Sequence, residues 1–469
     1  MLARDDLKTA LNLYKHVVTP ELVESTLSSV SVAKEQRREG IFSTVVVVWL
    51  MIFQRLSPDH TLVSAIEHLK SEELEDLLLS QESTSIKVRH KRISNNTGGY
   101  SQGRQRVSLE AVEKITDALN EVLSETDKSL KSKKPTAKQK KIYAIDGTTI
   151  LMSYSERNVD EYSQHKTRLG KSHYPLMRVT IATEMHSGVA LKPAIGAHNG
   201  SKATSEIAQS HEVLAKIEKG SIILADRLYG VTQVVHKTEQ LGLQIIVRVR
   251  ESIAKRLTKK WDKQGDAEAI WLPSDFERKQ HPQLVDANIS GRYICKTINR
   301  PGFRPFKLYL FTTCDSDAYP TAEIIKLYGM RWNIEQDLRN LKTTLELNFV
   351  NAKSPDMVAK QLITGVTAYN FVRHFMKVAA KQLNISVREL SFKGVLRRLA
   401  TLESITPTNR FIDTEKQNAR LEKDLVTFLA DIKILKLPSR KNPRSSQPRL
   451  KWRKGVQRFH DSVDSENIK

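Results

Sequence analysis

The sequence predicts a multidomain α/β protein, with a mixed-sheet core that is interrupted by a β-rich insert and flanked by helical regions. Three observations support this prediction. Apolar residues recur at helical spacing up to about residue 130 and again from residue 321. Between these regions, short apolar runs alternate with helical patterns, which is typical of a sheet covered by helices. A length of 469 residues also suggests about three domains.

The N-terminal region, residues 1–130, is predicted to be a helical DNA-binding domain. A basic segment at 87–106 separates its last two helices and is interpreted as a glycine-rich loop. Glycines let a backbone approach a ligand closely, and cations such as Arg104 and Arg106 suit DNA phosphates. A disordered polar loop is the alternative interpretation. The predicted helices lie at residues 20–27, 45–53, 61–69 and from about 108 onward.

A lysine-rich linker at 131–141 precedes residues 142–250, where the hydrophobic period becomes that of β-strands. The predicted order is three strands and then helix, strand, helix and strand. This order gives the first part of the core as a mixed sheet with helices packed on it. The strands are predicted at 142–152, 176–186, 189–197, 221–225 and 243–250, and the helices at 204–219 and 231–241.

Residues 251–320 interrupt this pattern and are predicted to be the β-rich insert, with strands at 267–272, 292–298 and 306–313. From residue 321 the pattern is helical again. Residues 321–355 are expected to complete the core with a final helix that carries Glu335. Residues 356–437 form a helical C-terminal region, and 438–469 a basic tail in which prolines prevent a long helix.

The composition indicates an anionic partner. Lys and Arg total 75 against 53 Asp and Glu, a formal net charge of +22, while 39% of the residues are hydrophobic. That apolar share argues against wholesale disorder. So large a positive charge favours a polyanion, most simply nucleic acid, although ribosome-associated and membrane-surface proteins are also basic.

Other features limit the possible classes of protein. The two cysteines, Cys295 and Cys314, exclude a disulfide scaffold and a CxxC-type zinc site, and they fit a reducing compartment. The longest apolar run, at 41–53, is shorter than the ~18 to 20 residues that a membrane span needs. No secretory signal is visible. We therefore expect a soluble, cytoplasmic protein.

Two aspartates are candidate catalytic residues. Asp146 lies within one predicted strand, and Asp226 directly follows another. Ligands collect at the carboxyl ends of strands in open α/β sheets, and paired carboxylates with phosphate oxygens suit Mg²⁺. A strand-end aspartate is also common as a turn or cap residue, so the pair alone is weak evidence.

The segment YGMRWNIEQDLRNLK, residues 328–342, adds a third carboxylate. If it is one continuous helix, its residues Tyr328, Arg331, Glu335 and Lys342 share a face within about 60°. An ordinary amphipathic helix with an Arg331–Glu335 pair would show the same spacing. Together with the two aspartates, however, Glu335 could form an all-oxygen site for two metals that promote in-line attack on a phosphodiester.

The sequence resembles the bacterial insertion-sequence transposases of the DDE class that carry the Y-(2)-R-(3)-E-(6)-K signature. Tyr328, Arg331, Glu335 and Lys342 match that signature, while AIDGTTI and LADRLYG, which contain Asp146 and Asp226, resemble the two aspartate motifs. The resemblance covers about residues 90 to 455. It implies a ribonuclease-H-like core in which Asp146, Asp226 and Glu335 bind two Mg²⁺ ions, with Mn²⁺ as a substitute.

The resemblance also implies a partner and a reaction. Such enzymes act as homodimers on the terminal inverted repeats of their own element and move double-stranded DNA to a target by cut-and-paste through hairpinned ends. It implies contacts of Tyr328, Arg331 and Lys342 with DNA, and localisation at the nucleoid. Relatives stack a flipped base on a Trp in the last insert strand, where this chain offers Tyr309, and Trp332 is expected to be a core residue. A nuclease with the same core and a non-catalytic DNA-binding regulator are the alternative functions.

Overall fold

The computed structural model describes residues 10–19, 21–22, 25, 41–70, 93, 95–125, 140–167, 170–299 and 305–405. Most of the predicted linker, much of the basic segment at 87–106 and the predicted basic tail lie outside these ranges. The predicted helix at 20–27 lies largely outside them as well. Among the described residues, no helix combines the length and the apolar character needed to cross a lipid bilayer.

The N-terminal part is helical, and side-chain caps define where its helices begin. The hydroxyl of Ser43 accepts a hydrogen bond from the N–H of Val46, and Thr61 caps the next helix through the N–H of Ser64. The described helices are α1 (Ala10–Val17), α2 (Thr44–Leu56), α3 (Leu62–Leu69), α4 (Gly98–Arg106) and α5 (Leu109–Glu125).

The predicted glycine-rich loop is wrong for residues 98–106, because these residues form α4. A Cβ on Gly99 would lie 2.6 Å from the ring of Phe42, and one on Gly103 would lie 3.0 Å from Val47. The two glycines therefore let α4 pack closely on α2 and its N-terminal flank.

The core sheet begins with β1 (Ile142–Met152), and its next long strand, β3 (Gly170–Glu184), runs antiparallel to β1. Helix α6 (Glu156–Tyr162) and the short strand β2 (Gln164–Thr167), which lie between them, were not predicted. The sheet continues with β4 (Ala194–Ala197), α7 (Glu206–Leu214), β5 (Ile222–Ala225), α8 (Thr232–Gln240) and β6 (Gln244–Arg248).

Strand β5 pairs parallel to β1, and β6 parallel to β5, while β4 pairs antiparallel to β3. The order β4-β3-β1-β5-β6 with these directions is that of the ribonuclease H fold, so the predicted fold class is confirmed. Gly220 has φ +87°, a conformation that favours glycine, in the turn between α7 and β5.

The strands between residues 251 and 320 extend this sheet. The elements are α9 (Glu251–Leu257), β7 (Gly265–Trp271), α10 (Asp275–Gln280), β8 (Ile289–Ile298) and β9 (Phe306–Thr312). Strand β9 pairs antiparallel with β6, followed outward by β8 and β7, so that one ten-stranded sheet results.

The C-terminal elements include the helices that cover one face of the sheet. They are α11 (Thr321–Met330), α12 (Trp332–Arg339), a π-helical turn (Asn340–Thr344), β10 (Phe349–Val350), α13 (Pro355–Gln382) and α14 (Phe392–Ile405). Strand β10 pairs parallel with the end of β1. Helix α13 packs against both α2 and α5, so it joins the N-terminal helices to the core.

Two hydrophobic cores lie on opposite faces of the sheet, because side chains alternate along each strand. Ala144 and Leu224 belong to the core shared with α12, α13 and the N-terminal helices. Ile145 and Ile223 belong to the core covered by α7, α8 and the residues of the insert.

A buried histidine makes the N-terminal helices sensitive to acid. The indole N–H of Trp49 donates to Nε2 of His68 at 2.9 Å, and the His68 ring stacks on Phe53. Since an indole can only donate, Nε2 must be unprotonated. Burial and, as a smaller contribution, the positive charge of Lys15 lower the pKa of His68 from 6.5 to about 3.

We predict that the His68→Gln variant loses less stability in acid than the wild type. At pH 5 the unfolded chain takes up a proton that the folded chain does not, so the free energy of unfolding falls as the pH drops through 6.5 toward about 3. From pH 7.5 to pH 5 this costs the wild type about 2 kcal/mol.

The measurement is denaturant unfolding at the two pH values. The amide oxygen introduced by His68→Gln can still accept from Trp49, but the amide does not titrate, so the acid-induced loss should shrink by about 2 kcal/mol. The exposed His165→Gln variant serves as the control and should keep the wild-type difference. An unchanged difference in His68→Gln would contradict the assignment.

Candidate active site

Asp146 and Asp226 are neighbours on adjacent parallel strands. The last residues paired between β1 and β5 are Ile145 and Ala225. Each aspartate occupies the next position, on strands that lie about 4.8 Å apart. The structure therefore brings these two predicted residues together at the point where β5 ends.

Both aspartates project toward the face of the sheet on which α12 lies. By strand alternation, Asp146 follows Ala144 and Asp226 follows Leu224, and both of these residues line the core shared with α12. Helix α12 carries Glu335 and packs on β1, with Ile334 buried against the sheet. All three predicted carboxylates therefore belong to the same face.

The Asp146 carboxyl is poorly placed for a lone negative charge. Burial raises its pKa to about 6, although the N–H of Gly147 donates to it at 2.9 Å. The charges of Asp226 and Glu206 contribute to this rise, and the charge of Arg331 opposes it. A cation held between the two aspartates would relieve this repulsion.

Glu206 and Tyr229 contribute to this environment and were not predicted. The Tyr229 hydroxyl donates to Oε1 of Glu206 at 2.7 Å, and burial raises the pKa of Tyr229 well above its usual range. The Glu206 carboxyl occupies the space that a side chain at Gly147 would need, since a Cβ there would lie 2.2 Å from its Cδ. The signal in the sequence was the glycine directly after Asp146.

The Glu335 carboxylate forms an ion pair with Arg331. The segment 328–342 is not one continuous helix, because α11 ends at Met330 and α12 begins at Trp332. Arg331, at this junction, is 8% exposed, and its Nη2 lies 3.3 Å from Oε1 of Glu335. Among the described residues, no group of three acidic, His or Cys side chains is close enough to hold a metal ion.

Tyr328 and Lys342 also lie near the two aspartates. Tyr328 is buried and bonds to Arg331; burial raises its pKa, and the charge of Asp226 contributes to the rise. Nζ of Lys342 donates to Oγ1 of Thr148 on β1 at 3.1 Å, and partial burial lowers the pKa of Lys342. The π-helical turn that follows α12 carries Lys342 to this position.

A buried ion-pair cluster anchors α12. Asp337 is 1% exposed and pairs with Arg373 of α13. It also accepts from Arg388 at 2.6 and 3.0 Å. Arg388 donates in turn to the carbonyl oxygen of Met185, and Arg373 donates to the hydroxyl of Tyr369. The cluster joins the Glu335 helix to α13 and to the turn after β3.

The other predicted residues differ widely in burial. Trp332 is 54% exposed and lies beside Arg331, so the expectation of a core residue is wrong. Tyr309 is half-buried, with its ring 5.7 Å from that of Trp261. Arg106 is exposed, whereas Arg104 is 7% exposed.

The carboxylates suit a divalent metal ion. Asp146 and Asp226 offer oxygen ligands at one point, and their mutual repulsion favours a cation there. Glu335 is half-exposed and tied by one ion pair, so packing does not prevent it from joining them. The fold and the site together define a class of enzyme that uses carboxylate-bound metal to cut and join nucleic-acid phosphodiesters.

Comparison with known proteins identifies the family. The family model described as transposase DDE domain matches residues 137–371, half of the chain, so the chain belongs to that family and is a DNA transposase. Members bind DNA and use divalent metal ions. The transposase InsG for insertion sequence element IS4 of Escherichia coli (strain K12) is 23% identical over 415 residues, which cover 86% of each protein.

A solved structure resembles the chain with a lower sequence identity. It is a cryo-EM structure of a piggyBac transposase synaptic complex with hairpin DNA. It superposes with a TM-score of 0.43 at 12% identity, over 93% of this chain and 88% of that chain.

We predict that Asp337→Asn strongly destabilises the protein. The substitution leaves two arginines buried without their counter-charge, and breaking a buried pair costs about 3 to 5 kcal/mol. Denaturant unfolding at neutral pH measures the loss. The matched control is Asp160→Asn, whose carboxylate is 82% exposed in a surface pair with Lys202 and should cost less than about 1 kcal/mol. Equal effects of the two substitutions would show that the cluster does not anchor α12.

Proposed function

We propose that this transposase binds the terminal inverted repeats of its own element and moves it by metal-dependent DNA cleavage and strand transfer, in a cut-and-paste reaction. The observation that carries the proposal is the adjacency of Asp146, within β1, and Asp226, directly after β5, one position beyond the last paired residues of the two strands. The helix of Glu335 packs over the same strand. The net charge of +22 fits a DNA substrate.

Asp146, Asp226 and Glu335 are the proposed metal ligands, for two Mg²⁺ ions that Mn²⁺ can replace. The metal supplies an activated water or 3′-hydroxyl and stabilises the leaving oxygen. The protein contributes a partly buried pair of aspartates and a glutamate whose position Arg331 controls. Because Arg331 pairs with Glu335, the carboxylate must leave this pair when it joins the aspartates at the metal.

The other site residues are proposed to hold the DNA end. The ammonium group of Lys342 lies beside Thr148 on β1 and is suited to a backbone phosphate. Arg106 and Tyr309 are proposed as outer contacts, since Arg106 is exposed and Tyr309 offers an aromatic face. Arg331 is paired with Glu335, and Tyr328 lies against Arg331, which favours positioning of Glu335 over extensive contact with DNA. Joining two element ends to a target calls for a homodimer.

We predict that Glu335→Gln abolishes end cleavage and retains end binding. The amide keeps the size of the side chain but is a much poorer ligand for a hard cation. The assay is strand cleavage of DNA that carries the gene's own flanking ends, with Mg²⁺ and with EDTA, beside an affinity measurement.

Glu323→Gln, which alters a surface glutamate paired with Lys326 on α11, is the control and should cleave normally. Wild-type cutting that requires metal supports the proposed function, and the products reveal whether a hairpin forms. Normal turnover by Glu335→Gln would refute the site. Tight binding without any wild-type cutting would favour the regulatory function.

We predict that Lys342→Ala weakens binding to end DNA and lowers its salt dependence. Losing one phosphate contact reduces the slope of log K against log salt by about 1. Binding isotherms between 50 and 200 mM salt (about the range in which such slopes are resolved) provide the measurement. Lys326→Ala, an exposed lysine on the neighbouring helix, is the control. The same slope in wild type and Lys342→Ala would argue against a phosphate contact.

A further inference from the structure

A polar cavity of about 670 Å³ lies between the N-terminal helices and the segment that follows α12. Arg55 of α2 and Arg104 of α4 line one side of it, and Thr343 and Asn348 line another. Cavities of this size are typical of ligand sites. Nothing in the proposed chemistry of the carboxylates uses this one.

The two arginines of the cavity are buried, and the residues that the structure describes offer them no counter-ion in an ion pair. Arg55 is 8% and Arg104 is 7% exposed. Within the part of the chain that the structure describes, neither forms an ion pair. Arg55 donates to Oε1 of Gln361 at 3.1 Å; Arg104 meets the Met357 sulfur at 3.4 Å, and its Nε has no hydrogen-bond partner. Buried charges in proteins are normally paired, so this arrangement requires an explanation.

The positions of the two guanidinium groups make the imbalance larger. Burial lowers the pKa of Arg55 to about 10, and the positive charge of Arg104 contributes to the fall. A nearby buried cation does have a counter-ion, because Lys360, which is 1% exposed, pairs with Asp356. The fold therefore neutralises one buried cation of this region and leaves two without an ion pair.

The carboxylates of the cavity do not remove this imbalance. Asp59 accepts from the hydroxyls of Ser57 and Thr61 and from the Thr61 N–H, so it serves the start of α3. Glu346 offsets part of the charge of Arg55. Arg104 is left without a carboxylate partner among the described residues.

We propose that Arg55 and Arg104 bind a phosphate group in this cavity, which in the DNA complex is a backbone phosphate of the element end. Guanidinium groups match phosphate oxygens, and Thr343 and Asn348 add polar groups to the lining. The assignment to DNA rests on the proposed function, whereas the phosphate site itself does not.

The place of the cavity fits a DNA backbone. Phe349 lines it and pairs with Leu151 on β1, the strand that carries Asp146. Leu151 lies five positions beyond Asp146 on β1, a distance of about 17 Å. Duplex DNA covers that distance in about five base pairs, so a phosphate about five base pairs from the cleaved bond would reach the cavity.

Arg104→Met tests the phosphate site. It removes the charge and keeps much of the volume, and replacing an unpaired buried charge with an apolar side chain is commonly neutral or stabilising. Inorganic phosphate should raise the Tm of the wild type relative to chloride at equal ionic strength, and should fail to raise that of the variant. Equal shifts in both proteins, or none in the wild type, would overturn the proposal.

A second arm identifies the source of the phosphate. The slope of log K against log salt for end DNA should fall by about 1 in Arg104→Met. It should be unchanged in Lys114→Met, which alters a surface pair on α5. A phosphate response with an unchanged slope would support the site but assign it to free phosphate. If the wild type does not cleave element ends, the proposed function fails, while the Tm response still decides on the cavity.

Discussion

The position of Glu335 depends on the buried charge of Asp337. Residues two apart on a helix point about 200° from one another. Because Arg373 and Arg388 hold Asp337 inside the protein, the Glu335 side chain must face away from that cluster. A buried ion pair contributes little net stability, since desolvation offsets the attraction. Its value here is that it fixes the rotation of α12 and gives the glutamate a defined direction.

Three carboxylates lie close together near the end of β5, and the fold distributes them over both faces of the sheet. Asp146 and Asp226 project toward α12, whereas Glu206 lies behind Gly147 and is held by Tyr229. The charges of Asp226 and Glu206 still act on Asp146 and raise its pKa. The strand ends are thus an electronegative region that favours a cation, while the cavity of Arg55 and Arg104 favours an anion.

The strands and the two aspartates could be predicted because their signals are local. A strand follows from its apolar pattern, and parallel neighbours bring Asp146 and Asp226 to one edge. The rest depends on contacts distant in sequence. The glycines of α4 suggested a loop, but their role is to fit against Phe42. Periodicity could not reveal the break at Arg331, the exposed Trp332, or the burial of Asp337 among arginines from later elements.

One short segment joins the two charged regions of the molecule. After α12 the chain makes a π-helical turn, a form common at functional sites. From this turn Lys342 reaches Thr148 beside Asp146, and Thr343 lines the cavity of Arg104. The same few residues therefore set the distance between the carboxylates and the buried arginines. That fixed distance would let the protein hold DNA at the cleaved bond and farther along its backbone as one rigid unit.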